Sequence, residues 1–432
     1  MKKQIVQHEK KERPIRVLQF GGGVFLRGFF DWMLQKANDA GVYNGNAVIL
    51  RSRTGGTDPL QKQNFNYTHV ARDGAHNDVT VVDCIAGSVD VPGCYGEYLE
   101  LAKLPELEVI VSNTTEAGIV YENCPRPLGK CPSNYPAKLT DLLYHRFLAG
   151  GEGVLVLPCE LIENNGDTLK NAVLRHAADW DLGDGFTAWL NTACSFRNTL
   201  VDRIVSGAPA ADDVLDIPYE DAMVNTSEYF HLFVIQGAPD PRLPFADIGL
   251  QVKWVESVED YRTIKVRILN GAHTSMIPFA MLCGLETVGD CLRDPRTSAH
   301  LRSCLDEILA SMDGDPDEAQ AYANSVLERF SNPYIRHLCR AISLNSVSKF
   351  KVRVLPSILA YREKTGKLPK QLLFSFGMLL RFYRQGTPTD DESVIAKCRG
   401  LSTAELLGDA SLWGVSVSEL AEEVDYYANT PF

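Results

Sequence analysis

The run VLQFGGG ends an apolar stretch at Phe20 on three consecutive glycines, Gly21, Gly22 and Gly23. The residues that follow, VFLRGFFDWMLQKAND, place apolar side chains at helical spacing up to Gly41. A strand, a glycine turn and a helix in immediate succession restrict the fold sharply, because only a tight crossover onto a sheet uses them that way. Four further runs, AVILRS, TVVDCIAGSV, LEVIVSNTTEAG and EGVLVLPCEL, are short and rich in β-branched residues. Stretches between several of them read as helices, YPAKLTDLLYHRFLAG among them. Near-continuous apolar strands alternating with helices predict a parallel sheet covered on both faces. The fold class expected is therefore α/β, with a Rossmann-like N-terminal domain and a mainly α-helical C-terminal domain.

From about residue 258 strand runs almost vanish, and KVRILNGAHTSMIPFAMLCGL, TSAHLRSCLDEILASM, DEAQAYANSVLERFSN and KQLLFSFGMLLRFYRQG read as helices. Pro239, Pro241 and Pro244 break regularity just before. The expected division is a dinucleotide-binding domain over 1–240 and a helical substrate domain over 241–432, with a ligand expected between them.

Charge narrows the function. Lys and Arg number 43 against 55 Asp and Glu, a net −12, which argues against a nucleic-acid partner but leaves room for one anionic small molecule held by a few local cations. The longest uncharged stretch, Arg267 to Glu286, contains Asn270, His273, Thr274, Ser275 and Pro278, so no membrane span is expected. The opening MKKQIVQHEKKERPIR lacks the apolar core of a signal peptide, and eleven cysteines form no CxxC pair. Both features suit reduced thiols and a cytoplasmic location. No HExxH, paired CxxC or EF-hand loop supports a metal site.

Four places can carry chemistry. The Gly21–Gly23 turn offers backbone N–H groups and a helix N-terminus to a pyrophosphate, although Leu26 stands where a third glycine is customary and Gly28 lies two further on. A tight turn with no ligand fits the same spacing. The second strand ends in Arg51, Ser52 and Arg53 with no acid before Asp58, which at face value favours the 2′-phosphate of NADP; solvated arginines are the plain alternative. Ser112, Asn113 and Thr114 follow an apolar strand, where they can bond a cofactor or cap a helix. Lys265, Asn270 and His273 are the most informative. On a continuous α-helix Asn270 and His273 lie about 140° and 80° round from Lys265, so all three share one side. A buried lysine can shuttle protons, an asparagine amide can donate to a developing alkoxide, and a histidine can orient a hydroxyl. An exposed lysine beside a satisfied polar pair is the alternative.

The Lys265–Asn270–His273 spacing within KVRILNGAHT resembles the signature of the polyol-specific long-chain dehydrogenases, the mannitol dehydrogenase family. The loop FGGGVFLRGF, with Phe25, resembles that family's variant dinucleotide turn, and SNTTEAGI, YPAKLT, PCELIENNGD, SFRNTLVDRIV, LFVIQG, RFSNPYIRH and SKFKVRVLP extend the likeness over about residues 15 to 380. The resemblance implies a metal-independent, NAD(H)-linked oxidoreductase that interconverts a ketose-type sugar acid and its polyol acid. It makes Lys265 the general acid/base, Asn270 and Asn165 the groups that polarise the reacting oxygen, and His273 the holder of a neighbouring hydroxyl. It also puts Gly21, Gly22, Gly23, Phe25, Arg51, Ser112, Asn113 and Thr114 at the cofactor. Asn198, Asp202 and Arg203 in SFRNTLVDRI become candidates for the cleft, with a structural network through Asp202 and Arg203 as the other possibility. A sugar-acid carboxylate needs a cation, for which Lys349 comes first, then Arg353, with Arg336 and His337 nearby in sequence. Glu160 and Leu161 stand where mannitol dehydrogenases carry an aspartate–asparagine pair. The rival readings are a sister enzyme of the family acting on fructuronate, a relative acting on neutral polyols, and an inactive sugar-acid or nucleotide sensor on the same scaffold; the full Lys–Asn–His set speaks against the sensor.

Overall fold

The structure, a computed structural model, describes residues 2–52 and 58–431. It divides into two compact units, Met1–Val258 and Glu259–Phe432.

The first unit is built on a six-stranded sheet whose pairs are all parallel. Its strands are β1 (Ile15–Phe20), β2 (Asn46–Arg51), β3 (Ile85–Asp90), β4 (Val109–Ser112), β5 (Leu155–Pro158) and β6 (Ser195–Phe196). Their spatial order is 3-2-1-4-5-6, so the chain reverses direction across the sheet between β1 and β4. Ligands of such sheets bind outside the carboxyl ends of the strands at that reversal. Alternate side chains enter two separate cores: Leu18, Phe20, Val48, Leu50, Ile110 and Val156 pack on one face, and Val17, Ile49, Val109, Val111, Leu155 and Leu157 on the other. Burial on both faces is why the strands read as unbroken apolar runs. Helices α1 (Val24–Gly28) and α2 (Phe30–Asp39) serve the second face, α3 (Tyr135–Leu148) and α4 (Asn165–Asp179) the first.

Three expectations change in this unit. The helix expected over VFLRGFFDWMLQKAND is broken at Phe29, whose backbone leaves the helical region at φ −124° and ψ −79°. Gly28, at the break, approaches its neighbours so closely that a Cβ would lie 2.9 Å from both His69 and Asn225. The run TVVDCIAGSV is two strands in different sheets: Asn77–Val82 pairs antiparallel with Tyr67–Arg72, whereas β3 joins the parallel sheet. Finally, the first unit extends past residue 240, because Val252–Val255 pairs in parallel with Leu232–Gln236, itself antiparallel to Thr199–Asp202.

The second unit is helical, with α5 (Gly271–Leu282), α6 (Pro295–Ser311), α7 (Pro316–Phe330), α8 (Ser346–Arg353), α9 (Leu355–Thr365) and α10 (Lys370–Gln385) around one apolar core. The segment after α10 contributes to that core: Cys398, Leu406, Trp413 and Val424 are buried in it. Arg381 Nη1 on α10 also donates to Thr430 O at 2.9 Å, anchoring the terminal helix Ala421–Asn429.

Candidate active site

In the first unit the glycine turn sits at the sheet's reversal. Gly21 adopts φ +113°, and a Cβ there would come within 2.8 Å of Asn113 O, so the position demands glycine. Gly21 N–H donates to Leu50 O, and Asn113 N–H donates to Phe20 O. The turn is thereby fixed to the ends of both neighbouring strands. Gly22 and Gly23 are exposed, and a Cβ on Gly23 would meet nothing within 4 Å. Backbone N–H groups are thus open to a diphosphate. The helix behind the turn has only five residues, so the turn itself, more than a long helix dipole, supplies the anion-binding groups. Phe25 stacks on Phe29 with ring centroids 5.0 Å apart. Arg51 ends β2 with Asp90 of β3 as its register partner; Arg53 lies outside the described residues.

Ser112, Asn113 and Thr114 are held by the protein itself. Ser112 Oγ donates to Glu160 Oε2 at 3.0 Å, Thr114 N and Oγ1 donate to Glu160 Oε1 at 2.8 and 3.0 Å, and Asn113 Nδ2 donates to Cys159 O at 2.9 Å. Glu160 is 3% exposed. Burial pushes its carboxyl group up, and the bonds from Thr114 and Ser112 pull against that shift. Sequence reasoning noticed Glu160 only as a departure from the family; its place one strand away from SNTT is what the sequence does not display.

Asn165, expected at the reacting oxygen, is bonded within the first unit. Its Nδ2 donates to Pro158 O at 2.9 Å and Glu160 O at 3.1 Å, with Thr199 at 3.2–3.3 Å beyond. Its Oδ1 accepts from Gly166 N at 2.9 Å and Thr199 N at 2.8 Å. At 1% exposure both ends of the amide bond to the protein, so Asn165 ties β5, α4 and the strand Thr199–Asp202 together. Asn198 is similarly committed, donating to Asp167 Oδ2 and Gln236 Oε1 at 2.8 and 2.7 Å. Asp202 is buried at the end of its strand. Arg203 donates to Gly28 O and Glu228 O, and its guanidinium lies 4.1 Å from the Trp32 ring centroid, a packing role inside the first unit.

In the second unit Lys265–Asn270 forms a π-helix that runs directly into α5. Gly271 N–H donates to Val266 O, five residues back. The assumption of a continuous α-helix is therefore corrected: i→i+5 closure puts Asn270 closer to the azimuth of Lys265 than 100° per residue allows. Lys265 and Asn270 are half-buried, His273 6% exposed. His273 stacks on Phe330 at 4.1 Å and meets His337 edge-on at 4.9 Å, while its buried Nε2 has no hydrogen-bond partner among the described residues. Arg267, one turn away, points elsewhere, donating to Ser357 and Ser311.

Basic side chains act on His273. Burial holds its imidazole well below the ordinary value, and His337, Arg329, Arg353 and Lys349 lower it further. Burial likewise lowers Arg353, and lowers Lys349 with help from Arg353. Arg353 Nη1 reaches Thr274 Oγ1 at 3.5 Å, and Lys349 Nζ donates to Ile342 O at 2.8 Å. The sequence brought forward Lys349, Arg353 and His337; Arg336 is exposed, and Arg329, buried on α7, was missed because a lone arginine on an amphipathic helix reads as solvated. Among the described residues no group of His, Cys, Asp or Glu could hold a metal ion, and no helix is long and apolar enough to cross a membrane.

Residues 15–244 match the mannitol dehydrogenase Rossmann domain and residues 257–426 the mannitol dehydrogenase C-terminal domain. An altronate oxidoreductase of Bacillus subtilis (strain 168) is 40% identical, the match covering 96% of this chain and 92% of that protein. One from Pectobacterium atrosepticum is 41% identical, over 87% of this chain and 80% of that protein. Among solved structures, a substrate-free D-sorbitol dehydrogenase superposes with a TM-score of 0.79 at 19% identity, over 95% of this chain and 92% of that one. A Pseudomonas fluorescens mannitol 2-dehydrogenase ternary complex with NAD and D-mannitol gives 0.70 at 19% identity, over 96% and 91%.

Replacing Asn165 by Ala removes several buried hydrogen bonds at once. Denaturant unfolding should show a loss of about 2–4 kcal/mol, with turnover of the remaining folded enzyme close to normal. Unchanged stability with turnover down by orders of magnitude would restore the oxyanion role.

Proposed function

The chain belongs to the mannitol dehydrogenase family, and from that premise we propose that it is an NAD(H)-dependent altronate oxidoreductase, reducing tagaturonate to altronate reversibly in hexuronate catabolism. The observation that carries this reading is the cationic surround of His273, next to a lysine and an asparagine of catalytic type on one continuous helical segment. A neutral polyol needs no such charge; a substrate with a carboxylate does. The names of the similar proteins from Bacillus subtilis and Pectobacterium atrosepticum support the same substrate.

The open backbone of Gly22 and Gly23 and the forced glycine at position 21 fit the diphosphate of a dinucleotide. Bound there, the reduced nicotinamide supplies the hydride. Lys265, as its ammonium, gives a proton to the carbonyl oxygen as that oxygen gains negative charge, and takes it back in the oxidative direction. The Asn270 amide donates to the same oxygen and stabilises the developing alkoxide. His273, held neutral by burial and by its cationic neighbours, offers Nε2 to a substrate hydroxyl. Arg353, with Lys349 beside it, takes the carboxylate; a guanidinium suits that planar, two-oxygen group.

Lys265→Ala should abolish turnover while NADH binding, followed by fluorescence, stays near that of the parent. A variant that still turns over at the parent rate would sink the assignment. Arg353→Met should raise KM for the sugar acid roughly tenfold to a hundredfold, the worth of a charge-assisted bond, and leave a neutral ketose unaffected. An equal loss with both substrates would assign Arg353 a purely structural part.

A further inference from the structure

Beneath the glycine turn lies a polar group that the catalytic reading does not use. Asp31, in the first turn of α2, is 0% exposed. Among the described residues no lysine, arginine or histidine makes an ion pair with it. Its Oδ2 lies 3.4 Å from Gln19 Nε2 and 3.3 Å from the Tyr67 hydroxyl. Tyr67 has one proton to give, and Arg27 O is the nearer acceptor at 2.8 Å. Asp31 Oδ1 has no partner, and neither has Gln19 Oε1 on the same amide.

Gln19 is itself fully buried at the end of β1, and its Nε2 also donates to Gly21 O at 3.0 Å. That bond fixes which way the amide faces, since the reversed amide would set oxygen against oxygen. The inventory of this cluster is then two orphaned buried oxygens on adjacent groups and too few hydrogens. A buried carboxylate with one long hydrogen bond and no counter-ion is costly, and so is an unpaired amide oxygen. One proton on Asp31 Oδ1 supplies what both lack. Oδ1–H donates to Gln19 Oε1 while Gln19 Nε2–H donates to Oδ2, a closed acid–amide pair, and the second Nε2–H remains on Gly21 O.

We propose that Asp31 is a positioning residue for the cofactor turn: its neutral carboxyl group, paired with Gln19, fixes the Gly21 carbonyl and so the turn to which the dinucleotide binds. The inference rests on the cofactor reading given above. It adds a proton-dependent element to that site, in which the strand before the turn and the helix after it are fastened by one acid–amide pair.

The surroundings agree. Burial raises the Asp31 carboxyl to about 7, with Gln19, Arg27 and Tyr67 pulling it down. The groups acting on it from other elements are Arg27 on α1, Tyr67 on its own strand, and Cys84, whose thiol donates to Asp31 O at 3.4 Å. Burial holds the Tyr67 phenol and the Cys84 thiol well above their ordinary values, so both stay neutral while Asp31 titrates. The sign follows. A carboxyl group raised on folding keeps its proton below about 7 and loses it above. Loss of the proton turns Oδ1 and Oε1 into two facing acceptors and releases the turn, so cofactor affinity falls as pH rises.

The test is the NADH dissociation constant of the whole protein, by fluorescence, from about one unit below to about two units above that value of about 7. The constant should hold steady at the acid end and rise roughly threefold to tenfold at the alkaline end, the worth of one buried hydrogen bond. Asp31→Asn keeps both bonds of the pair and cannot titrate, so its constant should be flat at the acid-end value. Gln19→Met removes the pair, and its constant should be raised and flat. A flat profile for the unmutated protein, or an Asp31→Asn profile with the same slope, overturns the proposal. Infrared difference spectra between the unmutated protein and Asp31→Asn give a check that needs no cofactor. A carboxylic-acid carbonyl band at the acid end of that range supports the pair, and only a carboxylate band there contradicts it. Absence of NADH binding at every pH would overturn the cofactor reading instead, leaving the infrared result to decide the pair.

Discussion

The parallel pairing of β1 with β2 on one side and β4 on the other is the constraint from which the first unit's chemistry follows. The strand order reverses between β1 and β4, which leaves a crevice at their carboxyl ends where ligands of such sheets bind. Gly21 makes the turn after β1 with a backbone no side chain tolerates, 2.8 Å from Asn113 O at its would-be Cβ. The same edge is then tied from below. Glu160 gathers Ser112 and Thr114, Asn165 joins β5 to α4 and to Thr199, and Gln19 bonds the Gly21 carbonyl. The polar residues at the edge act mostly on one another, leaving backbone N–H groups as the surface offered to an anion.

The second unit solves a different problem, that of bringing catalytic-type side chains out of an apolar helical core. A π-helix over Lys265–Asn270 does so by widening the helix for one turn, a feature that recurs at functional sites. Pro278 further along α5 has no N–H for Thr274 O, so the helix is irregular on both sides of His273. His273 itself is fixed between Phe330 and His337. Arg329, Arg353 and Lys349 act on it from α7 and α8 and lower its imidazole further.

Much of this was legible beforehand. Strand runs such as VLQF and LEVIVS are buried on both faces, which stamps an apolar signature on the chain, and the change to helical periodicity past residue 258 marks the second unit. Family motifs drew attention to Lys265, Asn270 and His273, which the structure sets on one segment running from a π-helix into α5. The failures have physical reasons. A π turn and an α turn share the same apolar pattern over six residues, so spacing could not separate them. Asn165 bonds to Pro158 and to Thr199, and the second of these, on a distant strand, is a contact that the sequence does not display. TVVDCIAGSV hid a change of sheet at Asp83 and Cys84. Asp31 did not stand out in the sequence, because only the tertiary fold buries it against Gln19.

The central claim is that an NAD(H)-linked site with a cationic carboxylate pocket selects a keto sugar acid. Its most direct test offers tagaturonate, fructuronate and fructose in parallel to the purified protein and follows NADH oxidation by absorbance, with NADPH as a second donor. Fast turnover with tagaturonate and NADH, and little with fructose, is the predicted result. Preference for fructose, which has no carboxylate, would contradict the account, and so would failure of all three substrates with either donor.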